Sequence, residues 1–388
     1  LPPSAQGKRP SSVLSPDELV RYGRQLTLPE VGSDGQRLLK SSSVLVVGVG
    51  GLGNAAATYL TSAGVGRMGL VDGDSVEASN LHRQFLFSGS DVGRNKAAAA
   101  GARLAEVNPN VEILQFPARL TPANAMDVLG GFDVVLDATD NLPSRYLISD
   151  ACVLLGKPDV YASALRLDGQ ASVFCYPGGP CYRCLQPRPP PPETVESCEE
   201  AGVLGVVPGV MGTVQALQAT LILLGRGSPL VGRLLVFSAQ NSSFEEVRIK
   251  KDPSCPACGT NPTIKALADY DDFCGTKTAA GGHPFDVEPA ELERSIGRGR
   301  SPLLLDVREP YEYEICHLEG AKLIPMGQIP RRLGELEKAG DIVVYCHHGV
   351  RSAKVAAFLR EAGYSRVSNL RGGLEAWRQQ VDPGMPGY

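Results

Sequence analysis

Val44-Leu45-Val46-Val47-Gly48-Val49-Gly50-Gly51-Leu52-Gly53 is the stretch whose reading decides the fold. A short apolar strand, 44–47, runs straight into glycines spaced G-x-G-x-x-G, and a helical pattern follows over 54–62. The next apolar strand, 68–71, ends at Asp72, 19 residues after Gly53. Glycines at these positions permit a tight turn and let phosphates approach a helix N-terminus, while an acid closing the second strand can hold ribose hydroxyls. The pattern alone fits NAD as well as ATP.

Outward from this loop, strand and helix alternate. Apolar runs at 134–136 and 160–162 read as further strands, and 93–107 reads as a helix. The expected fold class is therefore α/β, a Rossmann-like domain whose mostly parallel sheet is covered by helices. Upstream, Ser15-Pro16-Asp17-Glu18 carries the signs of a helix start: an N-cap serine, proline at the first position and acids near the positive dipole end. Residues 1–14, rich in Pro and Ser, read as a disordered tail. A polyproline run at 187–192 marks an exposed loop. Composition changes again after Cys258: residues 261–283 read as a linker, and a small second α/β domain is expected over 284–388, with strands 303–306 and 342–345 and a helix over 352–362.

Length and composition agree. A chain of 388 residues has room for two or three domains, and 43% apolar with 21% charged residues excludes a disordered or fibrous chain. The 38 Lys+Arg are interspersed among 42 Asp+Glu, for a net charge of -4, which gives no basis for direct nucleic-acid binding. Two uncharged stretches, 41–66 and 201–225, are about long enough for a membrane span. Glycine clusters with Asn54 and Thr58 in the first, and Pro208, Gln215 and Gln218 in the second, make both read as buried elements, so no membrane partner is expected. The N-terminus shows no secretory h-region, and ten cysteines with two C-x-x-C pairs point to a reducing, cytoplasmic compartment.

Four further segments surround the glycine loop in order: Arg21-Tyr22-Gly23-Arg24-Gln25, Ser79-Asn80-Leu81-His82-Arg83-Gln84, Gly93-Arg94-Asn95-Lys96 and Ala138-Thr139-Asp140-Asn141. With the loop they resemble the MoeB/ThiF adenylyltransferases of the ubiquitin-activating-enzyme-like superfamily over residues 15–260. That resemblance tips the nucleotide toward ATP. It implies that Asp72 binds ribose, that Arg83 and Lys96 bind phosphates, and that Asp140 positions Mg²⁺. It also implies that Gly51, Ser79, Asn80, Leu81, His82 and Asn141 complete the ATP site, and that Arg24 reaches it from the other subunit of a homodimer. Asp137 is offered by the same strand end; Asp140 is preferred because it fills the family's Thr-Asp-Asn motif.

The cysteines divide by context. Cys181-x-x-Cys184 and Cys255-x-x-Cys258 are knuckles that can each give a tetrahedral metal two thiolates, so a four-cysteine Zn²⁺ site is expected, as in MoeB-like proteins. Redox dithiols are the other reading. Cys198 sits in the polar run Thr194-Val195-Glu196-Ser197-Cys198-Glu199-Glu200 and matches the cysteine that accepts carriers in some relatives. Its acidic neighbours raise a thiol pKa, so any activation comes from elsewhere. Cys152, Cys175 and Cys316 read as packing residues, and Cys274 has no assigned role.

Cys346-His347-His348-Gly349-Val350-Arg351-Ser352 follows an apolar strand and opens a helix. Backbone N–H groups, the helix dipole and Arg351 can all stabilise an anion on Cys346. Only four residues separate Cys346 from Arg351, a ring tighter than a tyrosine-phosphatase loop and better suited to a persulfide. Asp306-Val307-Arg308-Glu309, His317-Leu318-Glu319-Gly320-Ala321 and Leu370-Arg371-Gly372-Gly373 also resemble rhodanese signatures. His347 and His348 read as loop residues rather than bases.

The two halves together resemble MoeB-rhodanese fusion proteins. This implies adenylyltransferase and sulfurtransferase activity on the C-terminal Gly-Gly carboxylate of a ubiquitin-like sulfur carrier. Cys346 would carry the persulfide, Cys198 would resolve the acyl species, and a cysteine desulfurase or thiosulfate would reload the sulfur. The pathways served by such fusions are molybdenum cofactor biosynthesis and tRNA thiolation. An NAD-dependent oxidoreductase joined to a sulfurtransferase, and a non-catalytic zinc scaffold, are the competing readings.

Overall fold

The computed structural model describes residues 13–190, 201–274, 285–297, 302–336 and 340–387. The chain forms two compact units, residues 1–276 and 277–388. In the first, short helices α1 (Pro16–Arg21), α2 (Gly23–Leu26) and α3 (Gly32–Ser41) lead into β1 (Ser43–Val47). Ser15 caps α1 in a reciprocal capping box with Glu18. The chain then runs through α4 (Gly51–Ser62), β2 (Arg67–Val71), α5 (Lys96–Val107), β3 (Glu112–Phe116), α6 (Ala125–Gly130), β4 (Val134–Asp137), α7 (Leu142–Leu155) and β5 (Asp159–Leu165). After β6 (Asp168–Phe174) come α8 (Tyr182–Leu185), α9 (Val206–Leu224), β7 (Arg233–Ser238), β8 (Ser243–Arg248) and α10 (Tyr270–Phe273).

The sheet order is β3-β2-β1-β4-β5-β6-β7-β8. Its β3 to β5 half is parallel, and β6, β7 and β8 extend it antiparallel. Every residue of β1 and β2 is buried, as a parallel strand covered on both faces requires. Helix α9 is long and apolar enough to cross a membrane by length and composition. Here it packs on α4 and β5, so closely that a Cβ at Gly212 would lie 2.2 Å from Leu52 O. Its buried glutamines are bonded: Gln215 Nε2 donates to Asp137 O and Val160 O, and Gln218 Oε1 accepts from Leu230 N.

Part of the stretch read as a linker is packed core. Tyr270 and Cys274 are buried against α7, Tyr270 OH donates to the buried Asp150, and Leu267 joins the same cluster.

The second unit contains β9 (Asp286–Val287), α11 (Pro289–Gly297), β10 (Leu303–Asp306), α12 (Pro310–Ile315), β11 (Lys322–Leu323), β12 (Ile342–Tyr345), α13 (Val350–Glu361), β13 (Val367–Leu370) and α14 (Gly373–Gln380). Its parallel sheet has the order β11-β10-β12-β13-β9, with β12 at the centre and fully buried.

Candidate functional site

In an open parallel sheet, ligands bind beyond the carboxyl ends of the strands where the order reverses. That point lies between β1 and β4, and there the glycine loop meets the loop after β4. Gly48 has φ +90°, and a Cβ on it would stand 2.7 Å from Ala138 O. Gly53 packs α4 onto the loop, where a Cβ would come within 2.0 Å of Gly48 O. Gly50 differs: its nearest neighbour would be Gln84 Nε2 at 3.8 Å, so backbone at the N-terminus of α4 is left open to a ligand. Residues 72–76 and 93–96 are joined by backbone bonds on one side of this opening.

Asp72 accepts from Val49 N at 2.8 Å and from Asp74 N at 2.9 Å, which fixes its carboxylate beside the loop. Burial pushes its pKa up against the pull of those two donors. Lys96 begins α5 with its Nζ 3.3 Å from the exposed Asp74 carboxylate. Arg83 Nη1 donates to Ser79 O and lies 2.7 Å from His82 Nε2. Burial and the Arg83 charge lower the His82 pKa, which keeps that ring neutral and able to accept. Asn80 is buried, with its side chain spent on Glu77 N and Ser79 Oγ.

At the end of β4 the two candidate acids separate. Asp137 is buried, its Oδ1 accepting from both Thr139 N and Thr139 Oγ1, a turn that shapes the backbone. Asp140 is exposed, with only Asn141 Nδ2, at 3.4 Å, as a hydrogen-bond partner among the described residues. Neither caps α7; Asn141 does, accepting from Ser144 N. Arg24 lies away from this opening. Gln25 beside it bonds Ala63 O, just past the C-terminus of α4, and a 12-residue helix puts that end roughly 18 Å from the glycine loop.

The four knuckle cysteines converge, with all Sγ atoms within 4.8 Å of one another. Cys181–Cys255 is 3.6 Å, Cys184–Cys258 is 3.4 Å and Cys181–Cys184 is 4.0 Å. The first knuckle is itself anchored. Its Arg183 makes two 2.8 Å bonds to the buried Asp150 and stacks over the Tyr146 and Phe273 rings.

In the second unit, donors converge on one sulfur. Cys346 is buried at the end of β12, and its Sγ accepts from Gly349 N at 3.1 Å, Ser352 Oγ at 3.3 Å and Ser352 N at 3.5 Å. The Gly372-Gly373 turn holds this loop from beneath, since Leu374 N donates to Cys346 O and Glu375 N to His347 O. Arg351 is paired with an acid. Both of its Nη atoms form a bidentate pair with Glu312, at 2.6 and 2.7 Å, so its charge is balanced by a buried carboxylate. Burial and His348 drive the His347 pKa down to about 4, leaving that ring neutral.

The chain is similar to known proteins. The ThiF family matches residues 22–257, and the rhodanese-like domain matches residues 288–380. The chain belongs to the ThiF family. Its second unit is a rhodanese-like domain. The chain is 42% identical over 397 residues to the probable adenylyltransferase/sulfurtransferase MoeZ of Mycobacterium tuberculosis, covering 100% of this chain and 99% of that protein. It is 45% identical over 391 residues to adenylyltransferase and sulfurtransferase MOCS3 of Drosophila sechellia, covering 97% and 86%. The fold of the ThiF unit is shared with Escherichia coli MccB, crystallised with MccA-N7isoASN, at TM-score 0.56 and 21% identity over 62% of this chain and 75% of that one.

Within the ThiF unit the structure brings Gly51, Asp72, Lys96, the 79–83 turn and Asp140 to the carboxyl ends of the parallel strands, and leaves Arg24 apart. Cys198 lies outside the described residues. The end of its segment is described: Leu204 N bonds Arg166 O, and Gly205 presses on His82 O, where a Cβ would be 2.6 Å away. Sequence reading assigned no role to Gln84, whose side chain borders Gly50, or to Asn54, which ties the glycine loop to Leu86. The available signal was a polar side chain inside an apolar helix start.

Proposed function

We propose that the ThiF unit adenylates the C-terminal Gly-Gly carboxylate of a ubiquitin-like sulfur carrier, and that the rhodanese-like unit delivers sulfur to it as a Cys346 persulfide. One observation carries this reading: a single chain joins an open, cation-flanked glycine cradle to a loop whose donors converge on a buried cysteine sulfur. The names of the relatives agree.

In the first step a carrier carboxylate oxygen attacks the ATP α-phosphorus, giving carrier-adenylate and pyrophosphate. Asp72 holds the ribose, the α4 N-terminus and Lys96 hold phosphate oxygens, and Arg83 extends that cationic wall. Asp140, exposed and without an ion pair among the described residues, suits a Mg²⁺ ligand that neutralises the triphosphate. Arg24, remote from its own loop, fits an arginine supplied by the partner in a homodimer. In the second step the terminal persulfide sulfur attacks the acyl carbon and AMP leaves. Cys198 thiolate then attacks the Cys346 sulfur of the acyl disulfide, releasing carrier thiocarboxylate and leaving a Cys198–Cys346 disulfide that a cellular thiol reduces. A cysteine desulfurase persulfide or thiosulfate reloads Cys346.

The four-cysteine cluster fits Zn²⁺, because Zn–S bonds of about 2.3 Å in a tetrahedron put sulfurs roughly 3.8 Å apart, close to the spacings present. Its role is structural, since it joins the chain after β6 to the chain after β8. Cytoplasmic location and service to molybdenum cofactor biosynthesis or tRNA thiolation complete the proposal.

ATP-pyrophosphate exchange dependent on an added sulfur carrier, followed by mass detection of the thiocarboxylate, tests it. Exchange without carrier dependence, or hydride transfer to NAD, overturns it.

A further inference from the structure

Asn54 is the fourth residue of α4 and is fully buried. A buried amide with no partners is costly, and asparagine is a weak helix former, so packing alone would be served better by an apolar residue. Its polar atoms are instead shared between two segments. Nδ2 donates to Val49 O at 2.8 Å and to Gly50 O at 3.1 Å, both in the glycine loop. Oδ1 accepts from Leu86 N at 2.8 Å, in the segment that follows Arg83 and Gln84.

Where these segments meet on the ligand side, their contact is otherwise loose. A Cβ on Gly50 would be 3.8 Å from Gln84 Nε2, and one on Gly51 would be 3.5 Å from Arg83 O. The direction of the Arg83 guanidinium is set by its own turn, through Ser79 O and His82 Nε2. That turn is held by Arg83 N and Gln84 N donating to Asn80 O. The Leu86–Asn54 bond therefore ties this turn directly to the glycine loop, alongside the start of α9, which packs on both through Pro208 at Gly51 and Gly205 at His82 O.

We infer that Asn54 is a positioning residue for adenylation: its side chain straps the glycine loop to the Arg83 segment and sets the spacing between two groups that hold the same polyphosphate. The inference rests on the ATP reading above. It concerns phosphate contacts; the ribose contact at Asp72 keeps its own bonds, from Val49 N and Asp74 N. Small displacements of such groups are expensive, a shift of about 1 Å costing up to roughly a hundredfold in rate.

The test compares ATP and adenosine as ligands of the full-length protein carrying Asn54→Ala or Asn54→Asp. The aspartate keeps an acceptor for Leu86 N and removes the donor to the loop carbonyls. Both variants should weaken ATP binding about tenfold or more in exchange kinetics, while adenosine as a competitive inhibitor keeps its Ki within twofold and the carrier KM is unchanged. A general structural defect would move adenosine and carrier together with ATP, and that result overturns the inference, as does unchanged ATP affinity. Should both variants fold poorly, amide exchange on the native protein decides: ATP should slow exchange at Leu86 at least tenfold, and no slowing counts against the strap. Failure of the native protein to catalyse any ATP-dependent exchange would instead refute the ATP reading itself.

Discussion

The glycine loop after β1 and the cysteine loop after β12 are built alike and used differently. Each leaves the carboxyl end of a central buried parallel strand and opens a 12-residue helix, so each presents backbone donors at a helix N-terminus. Around Gly50 there is space: a Cβ placed there would meet Gln84 Nε2 at 3.8 Å. Around Gly349 there is none: it has φ +84°, its Cβ would stand 2.8 Å from Gly372 N, and its N–H already points at Cys346 Sγ. The first loop is arranged to receive an anion from solution. The second carries its own sulfur and has balanced its arginine with Glu312. One strand-loop-helix plan thus gives a binding site or a covalent carrier according to whether the space at the helix start is left empty or filled.

The most drastic way to separate the two loops is to remove the reacting group of each. Asp140→Ala should reduce carrier-dependent pyrophosphate exchange at least a hundredfold, because the triphosphate charge is left uncompensated. Cys346→Ala should leave exchange within twofold and abolish thiocarboxylate, since sulfur enters only after the adenylate has formed. Both products can be followed by mass spectrometry in one reaction. Thiocarboxylate at the normal yield from Cys346→Ala would break the assignment of the second loop as the carrier.

Next in size is the metal cluster, which belongs to neither loop. Cys181→Ser, or removal of metal by chelation, should lower the thermal stability of the ThiF unit by several degrees or more, structural zinc contributing about 10 kcal/mol or more in small domains. Nucleotide affinity in the protein that stays folded should be near normal. Protein purified without chelator and found free of zinc by elemental analysis would refute the metal assignment.

The strand-loop-helix units were legible in the sequence because their information is local. Glycines at fixed spacing, all-apolar strands and Ser15 as a cap each act within a few residues, and the structure places β10 and β12 at the expected residues. What was hidden depends on distant partners. The antiparallel extension escaped notice because β8 is exposed along almost its whole length and shows no alternation of apolar residues. Residues 264–274 looked aperiodic and linker-like, yet Tyr270 reaches Asp150 and Phe273 lies over Arg183, contacts that no local pattern encodes. The partner of Arg351 is Glu312, 39 residues away on another element. Asn54 was visible only as a blemish in an apolar run.

Glycine substitutions sharpen the comparison at smaller scale. Gly50→Ala adds a methyl group where there is space and where φ of -78° suits any residue, so the melting temperature should stay within about 2 °C of the native value. The same methyl group occupies the cradle, so ATP affinity should fall at least tenfold, about 1.4 kcal/mol. Gly349→Ala should do the opposite to its unit, destabilising it by about 1–3 kcal/mol through backbone strain and the clash with Gly372. Calorimetry of both variants with and without ATP checks the pair. A Gly50→Ala variant with native ATP affinity would mean that the first loop is not a phosphate cradle.

The smallest effect concerns how the two units treat buried acids. In the rhodanese-like unit Asp306 and Glu312 each face an arginine, Arg308 and Arg351. In the ThiF unit Asp150 is likewise paired, with Arg183, whereas Asp159 is buried with no hydrogen-bond partner for Oδ1 among the described residues, and burial together with the nearby Asp137 charge pushes its pKa well above the ordinary carboxylate range. The folded chain then retains a proton that the unfolded chain releases, so stability falls as pH rises from the usual carboxylate pKa through the raised one. Asp159→Asn removes that dependence while keeping the shape of the side chain. It should gain stability relative to the parent between pH 5 and pH 8, by about 1 kcal/mol or roughly 2 °C in melting temperature for a unit of this size. Glu312→Gln, which removes an acid paired with arginine, should be destabilising at both pH values. If Asp159→Asn loses the same stability at pH 5 and at pH 8, the acid is not held protonated, and the contrast between paired and unpaired buried carboxyls in the two units disappears.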